Sequence, residues 1–296
     1  MLPQLRRLRS RRVTRLIEVY PTPLSRQRSQ SSLPKFDASR KFKLTEPPTP
    51  GWDLGQGVSP AYPLAKEWND AETLGWKTCR LGDMPGRDVY KLLGSAVIPR
   101  PIAFVSTISE DGIPNLAPMS YFSLVAHNPP LLSVSFSLTP GKPKDSRENV
   151  LRTREFTVSI ISDAFIEAAN ACSVNAPPEV DEWIVSGLTP EPSTTVKPAR
   201  VKESAVGLEC ELYHSLDIRA PESDDISHTI VLGLIKDVHV RNAVLAEDGQ
   251  TVDPAKLRPV ARLGGSSYAT LGDGFDLSRP TWKSLKDRVK ELQRES

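Results

Sequence analysis

Arg100-Pro-Ile-Ala-Phe-Val-Ser-Thr107, followed by Asn115-Leu-Ala-Pro-Met-Ser-Tyr-Phe122, is the stretch on which the reading of this chain turns. Ile102–Ile108 is β-branched and aromatic and is closed by the turn residues Glu110-Asp111-Gly112, so it reads as a strand. Leu131–Phe136 alternates apolar and small polar residues, as a half-buried strand does. Glu155–Ile161, Val206–Leu216 and Thr229–Val240 read as further strands.

Helical signals are fewer. Asp145 followed by Glu148 has the spacing of a capping box opening a helix through Arg152, and Ala164–Cys172 is a second candidate. Trp282, Leu285, Val289 and Leu292 mark an amphipathic C-terminal helix, with Pro280 near its first turn. Five or more strands with short helices between them favour a mainly β, antiparallel Greek-key barrel over a doubly wound parallel sheet.

The charges divide the chain further. Of its 296 residues, 39% are hydrophobic and 25% charged, values ordinary for a globular protein, and the net charge is only +2. Residues 1–43, however, hold 12 basic residues against Glu18 and Asp37, or +10, leaving −8 for the remainder. This leader is Arg-rich, Ser-rich and acid-poor, and on a helix Leu5, Leu8, Arg12 and Leu16 would form an imperfect apolar stripe. That composition fits a mitochondrial transit peptide; a disordered basic tail on a cytoplasmic protein and a nucleic-acid arm are the alternatives. Residues 44–88 read as a Pro-rich extension in which Pro47, Pro48, Pro50, Pro60 and Pro63 discourage regular structure. Its tryptophans, Trp52, Trp68 and Trp76, suggest that part of it packs on the barrel. The main domain spans residues 89–275, and residues 276–296 carry the terminal helix.

Several chemistries lack their motifs. There is no GxGxxG after a strand, no GxxxxGK[ST] and no GxSxG. Cys79, Cys172 and Cys210 form neither CxxC nor CxxH, and the four histidines lack HExxH spacing, so no metal centre is indicated. No apolar run approaches the ~18–20 residues of a membrane-spanning helix.

The two opening segments resemble the flavin reductase-like family, and four later blocks are similar to it in the same order. These are Asn128-Pro-Pro130, Lys144-Asp-Ser146 with Asn149, Asp181-Glu182-Trp183 leading to Ser186-Gly187-Leu188, and Arg262-Leu-Gly-Gly265 with Tyr268. The resemblance implies an antiparallel split barrel, a homodimer, and FMN held near the subunit interface. It implies a flavin site at Arg100, Ser106, Thr107, Asn115, Ser120, Tyr121, Phe122, Lys144, Ser146, Asn149 and Tyr268. His228 corresponds to the family histidine beside the nicotinamide, but Ile226-Ser227 stands where the family has Gly-Asp, which puts the use of NADH or NADPH in question.

Residue chemistry agrees with this resemblance. A flavin phosphate needs cations and short donors, which Lys144, Ser146, Arg147 and Asn149 supply at the start of a helix. Ser106, Thr107, Asn115 and Ser120 are placed to bond ribityl hydroxyls and the ring edge, and Tyr121 or Phe122 to cover a ring face. Blander roles stay open at each: strand positions for Ser106 and Thr107, core for Tyr121 and Phe122, a helix cap for Asp145, a strand-end imidazole for His228. The expected function is an FMN-dependent oxidoreductase taking hydride from NADH or NADPH. Its rivals are an FMN protein with another donor, and a non-enzymatic barrel whose arm meets nucleic acid, against which the acidic body argues.

The leader reading is directly testable. Residues 1–43 fused to a fluorescent reporter are expected to bring it into mitochondria; a diffuse or nuclear signal would favour the basic-tail alternative.

Overall fold

The computed structural model describes residues 33–295 apart from 60, 140–143 and 222. The stripe expected over Leu5–Leu16 lies outside the described residues. Lys41–Ser296 forms one compact unit.

Seven strands make the main sheet: β1 (Ala103–Ile108), β2 (Pro114–Met119), β3 (Phe122–His127), β4 (Pro130–Ser137), β5 (Glu155–Ile160), β6 (Val206–Arg219) and β7 (Ile226–Val240). Their order is β2-β1-β5-β6-β7-β4-β3, and every pairing is antiparallel. The edge strands β2 and β3 are consecutive in sequence, separated only by Ser120 and Tyr121. Three Cα steps reach about 11 Å at most, so the sheet must roll until its edges meet. The result is a barrel left open along the seam between β2 and β3.

Side-chain alternation assigns β1 to two cores. Ala103 and Val105 point into the barrel with Phe136, Phe156 and Val231. Ile102 and Phe104 point outward, under a second core containing Ile161, Phe165 and Trp183. Both faces of the strand are covered, which explains its unbroken apolar run. The segment Asn115–Phe122 divides into β2 and the first residue of β3. Strands β6 and β7 run past the expected Val206–Leu216 and Thr229–Val240 into a long hairpin whose outer part exposes Tyr213, Leu216 and Ile218. Backbone pairing between the two strands sustains the hairpin there without a core beneath it.

Among the described residues the α-helices are α1 (Pro63–Ala71), α2 (Gly86–Ala96), α3 (Asp145–Thr153), α4 (Ile166–Ala171), α5 (Glu182–Ser186) and α6 (Trp282–Glu295), besides a four-residue helix at Pro254–Leu257. Two expectations are corrected. The Pro-rich extension contains α1, because Pro63 occupies the first turn, where its missing N–H costs no hydrogen bond. Its tryptophans do not pack on the barrel: Trp68 and Trp76 are 78% and 97% exposed, and the Trp52 indole donates to Gly57 O at 2.8 Å. The extension is tied instead to the chain's other end. Lys43–Thr45 pairs in parallel with Asp273–Phe275, and Gly55 rests against Leu292 of α6.

Gly233 of β7 faces the barrel interior, where a Cβ would penetrate the Phe156 ring and meet Leu132 Cδ1 at 3.2 Å. Gly233→Ala is expected to destabilise the protein by about 1–3 kcal/mol through overpacking, read by denaturant unfolding.

Candidate functional site

A buried polar network fastens α3 to the β1–β2 hairpin. Asn115 and Thr107 are partners across the ladder. The Asn115 amide donates to Ser146 Oγ at 2.8 Å and lies 3.4 Å from Thr107 Oγ1, while Asn149 Nδ2 donates to Thr107 Oγ1 at 3.0 Å. All four side chains are buried. Each such bond contributes about 1 kcal/mol net, but stripping one partner from a buried polar group costs more than that. The network therefore holds the first turn of α3 in place over the hairpin.

A cavity of about 580 Å³ opens beside that first turn. Its walls come from β2 (Asn115, Ala117, Pro118), from the end of β4 and the residues after it (Ser137, Thr139), from Lys144-Asp145-Ser146, from Cys172–Pro178, and from Glu182. Lys144 is the N-cap residue and Asp145 the first helical residue. This corrects the expected capping box: no side chain caps α3, and the Glu148 carboxylate takes Arg147 Nη1 at 2.7 Å instead. Asp145 lines the cavity with its carboxyl bonded to its own backbone N–H, and the N-cap residue supplies no capping acceptor, so the first-turn amides beyond Asp145 suit an anion.

Of the expected site residues, Asn115, Lys144 and Ser146 line this cavity, with Thr107 and Asn149 behind them in the network. Ser120 and Tyr268 line a smaller recess of about 160 Å³ that shares Pro118 and Ser173 with the main cavity. There the Tyr268 hydroxyl donates to Asn170 Oδ1 at 2.8 Å, and Arg262 lies 4.5 Å over its ring.

The others line neither space. Arg100 spends its guanidinium on the carbonyls of Gly94, Val97 and Leu263 at 2.6, 2.7 and 3.1 Å, pinning the end of α2. Ser106 is buried in β1, and Phe122 packs against the barrel core. Tyr121 is partly exposed, with its ring 6.2 Å from that of His228. His228 pairs across the sheet with Ser137, a cavity residue, and its Nδ1 lies 3.2 Å from Ser227 Oγ. Arg147, expected near the phosphate, bonds Thr229, Glu148 and Asp217. It ties α3 to the long hairpin.

Three titratable side chains in the cavity wall were given no site role from sequence, although Asp145 and Glu182 lie in blocks that carry the resemblance. Glu182 is 6% exposed and accepts the Leu116 N–H at 3.2 Å, satisfying a donor on the free edge of β2. Burial raises its pKa, the Leu116 bond opposes the shift, and the charges of Asp145 and Asp181 add to it. Burial likewise raises Asp145. Burial pushes the Cys172 thiol up to about 11, with the nearby carboxylates adding to it and a bond from Ser186 opposing. A sequence signal for α5 did exist: Asp181 caps it by accepting from Trp183 N, and Gly187 ends it in the left-handed conformation.

Residues 94–255 match the family model of the flavin reductase like domain. The chain belongs to the flavin reductase-like family. An uncharacterized protein of Halalkalibacterium halodurans is 36% identical over 196 residues, covering 66% of this chain and 92% of that protein. Among solved structures, nitrilotriacetate monooxygenase component B from Bacillus cereus superposes with a TM-score of 0.66 at 33% identity, covering 69% of this chain and 99% of that one. The 2-nitrobenzoate 2-nitroreductase of Pseudomonas fluorescens gives a TM-score of 0.61 at 26% identity over 70% and 98% of the two chains. The flavin reductase-like fold thus accounts for the antiparallel barrel and its seam.

The raised carboxyl of Glu182 has a measurable consequence. A carboxyl whose pKa is higher folded than unfolded stabilises the protein most below its unfolded value, near 4.5. That stability is lost as pH rises through the folded value. Glu182→Gln is therefore expected to lose less stability than the wild type between pH 4 and pH 7, measured by denaturant unfolding across that range. Parallel pH profiles for the two proteins would contradict the assignment.

Proposed function

We propose that this protein binds FMN in the 580 Å³ cavity and is reduced there by NADH or NADPH. The observation that carries the reading is the uncapped start of α3, where Lys144, Ser146 and the first amides open into one space. The fit to FMN is good. A cavity of this size lies within the usual range for cofactor sites. Lys144 and Ser146 suit a phosphate, and Asn115, Ser137 and Thr139 offer donors and acceptors for a polyol. Burial raises the pKa of Asp145 and Glu182, the two carboxyls in this wall.

Bound FMN would supply the hydride and electron chemistry that side chains lack. The protein's residues do the rest. Lys144 and Ser146 bind the phosphate, the Thr107–Asn115–Ser146–Asn149 network keeps them in register, and Tyr121 and His228 stand at the donor side. The relatives whose names state a reaction support a redox role, a monooxygenase component and a nitroreductase. Their differing names leave the final acceptor to experiment. Ser227, in place of the family's Asp, lies beside His228 Nδ1 and supports a second reading in which another donor serves. The exposed Leu124 and Val125 on edge strand β3, with Tyr213 and Leu216 of the hairpin, support a homodimer. The basic leader supports mitochondrial targeting.

Purified protein is expected to be yellow and to release FMN on denaturation; a colourless protein that takes up no added FMN would sink the reading. Lys144→Ala removes a charge-assisted bond of about 1.5–3 kcal/mol, a roughly ten- to hundredfold rise in Kd. His228→Ala is expected to keep FMN while slowing its reduction by NADH or NADPH in stopped flow. Reduction at the wild-type rate would make His228 structural. Light scattering on the same sample reads the dimer.

A further inference from the structure

A second cavity, of about 500 Å³, shares no lining residue with the flavin cavity. It is bounded by the short ladder Pro190–Glu191 with Arg200–Val201, by Lys202–Gly207 leading into β6, and by Val238–Arg241 at the end of β7. Its lining carries Arg200, Lys202, His239 and Arg241 against one acid, Glu191. The reaction proposed above uses none of these residues.

The cations are held by backbone carbonyls and, for Arg200 and His239, by the buried carboxylate of Glu209. Arg200 donates through Nη2 to Pro192 O at 3.0 Å, and Arg241 donates through Nη2 to Lys202 O. Gly207 makes room for the Arg200 stem, since a Cβ there would lie 3.2 Å from Arg200 Cδ. The nearest buried acid, Glu209, is already saturated. It accepts from Thr194 N and Oγ1, Thr195 N and Val196 N at 2.6–3.2 Å, and His239 Nε2 lies 2.6 Å away. Arg200 Nε stands 3.7 Å from Glu209 Oε1, beyond hydrogen-bond reach, and is buried without a partner. Two guanidinium groups are thus pre-oriented by carbonyls; Glu209 offsets part of the Arg200 charge, Arg241 keeps its own, and Lys202 adds a third cation at the exposed rim.

We propose that this cavity is a second ligand site, for a phosphoryl anion carrying at least two negative charges. A tetrahedral oxyanion presents oxygens in several directions and can meet two guanidinium groups and an ammonium together, whereas a single carboxylate presents two oxygens in one plane. The phosphoryl group of a nucleotide or of a sugar phosphate, or inorganic pyrophosphate, has that chemistry. The steep charge of the rim also attracts such ligands at low salt.

Calorimetric titration of pyrophosphate into the full-length protein, with and without saturating FMN, tests this. One equivalent is expected to bind in both conditions. Arg241→Glu and Lys202→Glu, both changes of exposed side chains, should each weaken binding at least tenfold without altering FMN absorbance or the melting temperature. Succinate, a dicarboxylate with two separated charges, should bind at least tenfold more weakly than pyrophosphate. The proposal is overturned if saturating FMN abolishes pyrophosphate binding, if Arg241→Glu binds it normally, or if succinate binds as well. A protein that takes up no FMN yet binds pyrophosphate through Arg241 would sink the flavin reading and leave this one standing.

Discussion

The two-residue link Ser120–Tyr121 joins strands that lie at opposite ends of a seven-stranded order, and that constraint shapes both the barrel and its cavity. An open sheet could leave its edges far apart; this one cannot. Rolling brings the free edge of β2 to the seam, and an unpaired strand edge must be covered or bonded. Glu182 does this at Leu116 by projecting a carboxyl from the short helix α5. The main cavity lies beside the same edge, walled by β2 and by the uncapped start of α3. The rolling of the sheet thus places the free edge of β2 in the cavity wall.

The barrel was largely legible in the sequence because strand periodicity and turn residues are local signals. Ile102–Ile108, Leu131–Phe136 and Glu155–Ile161 match strands to within a residue or two at each end. The split of Asn115–Phe122 between two edges was less legible, since nothing in six or eight residues reports which neighbours a strand finds. Lys144, Ser146 and Asn115 could be read as a site from their chemistry together with the resemblance, and the fold does gather them around one cavity. Arg100 and Arg147 show the limit of that reasoning. Each has the chemistry of a phosphate ligand, but each is committed to partners remote in sequence, Leu263 and Asp217 among them. Glu182, though within a block of the resemblance, and Cys172 were given no role there, because burial and not residue type gives them their character.

Charge is handled differently around the main cavity and at Glu209. Around the main cavity, carboxyl groups meet one another and a lysine in partly dry surroundings, and their ionisation is held back. At Glu209 the opposite holds. Burial alone would raise its pKa, but three backbone amides and the Thr194 hydroxyl override that and bring it down to about 2. Both Glu182 and Glu209 are buried, and Glu209 meets more donors.

Cys172 shares the wall of the main cavity with Glu182, and its sulfur lies 3.6 Å from the Glu182 carbonyl oxygen. With its pKa pushed up to about 11, it remains a thiol at physiological pH. Thiolates, not thiols, attack electrophiles and react readily with peroxide. This sulfur can therefore sit in the cavity wall without readily forming adducts or oxidising. The burial that packs Cys172 against α5 also keeps it chemically quiet.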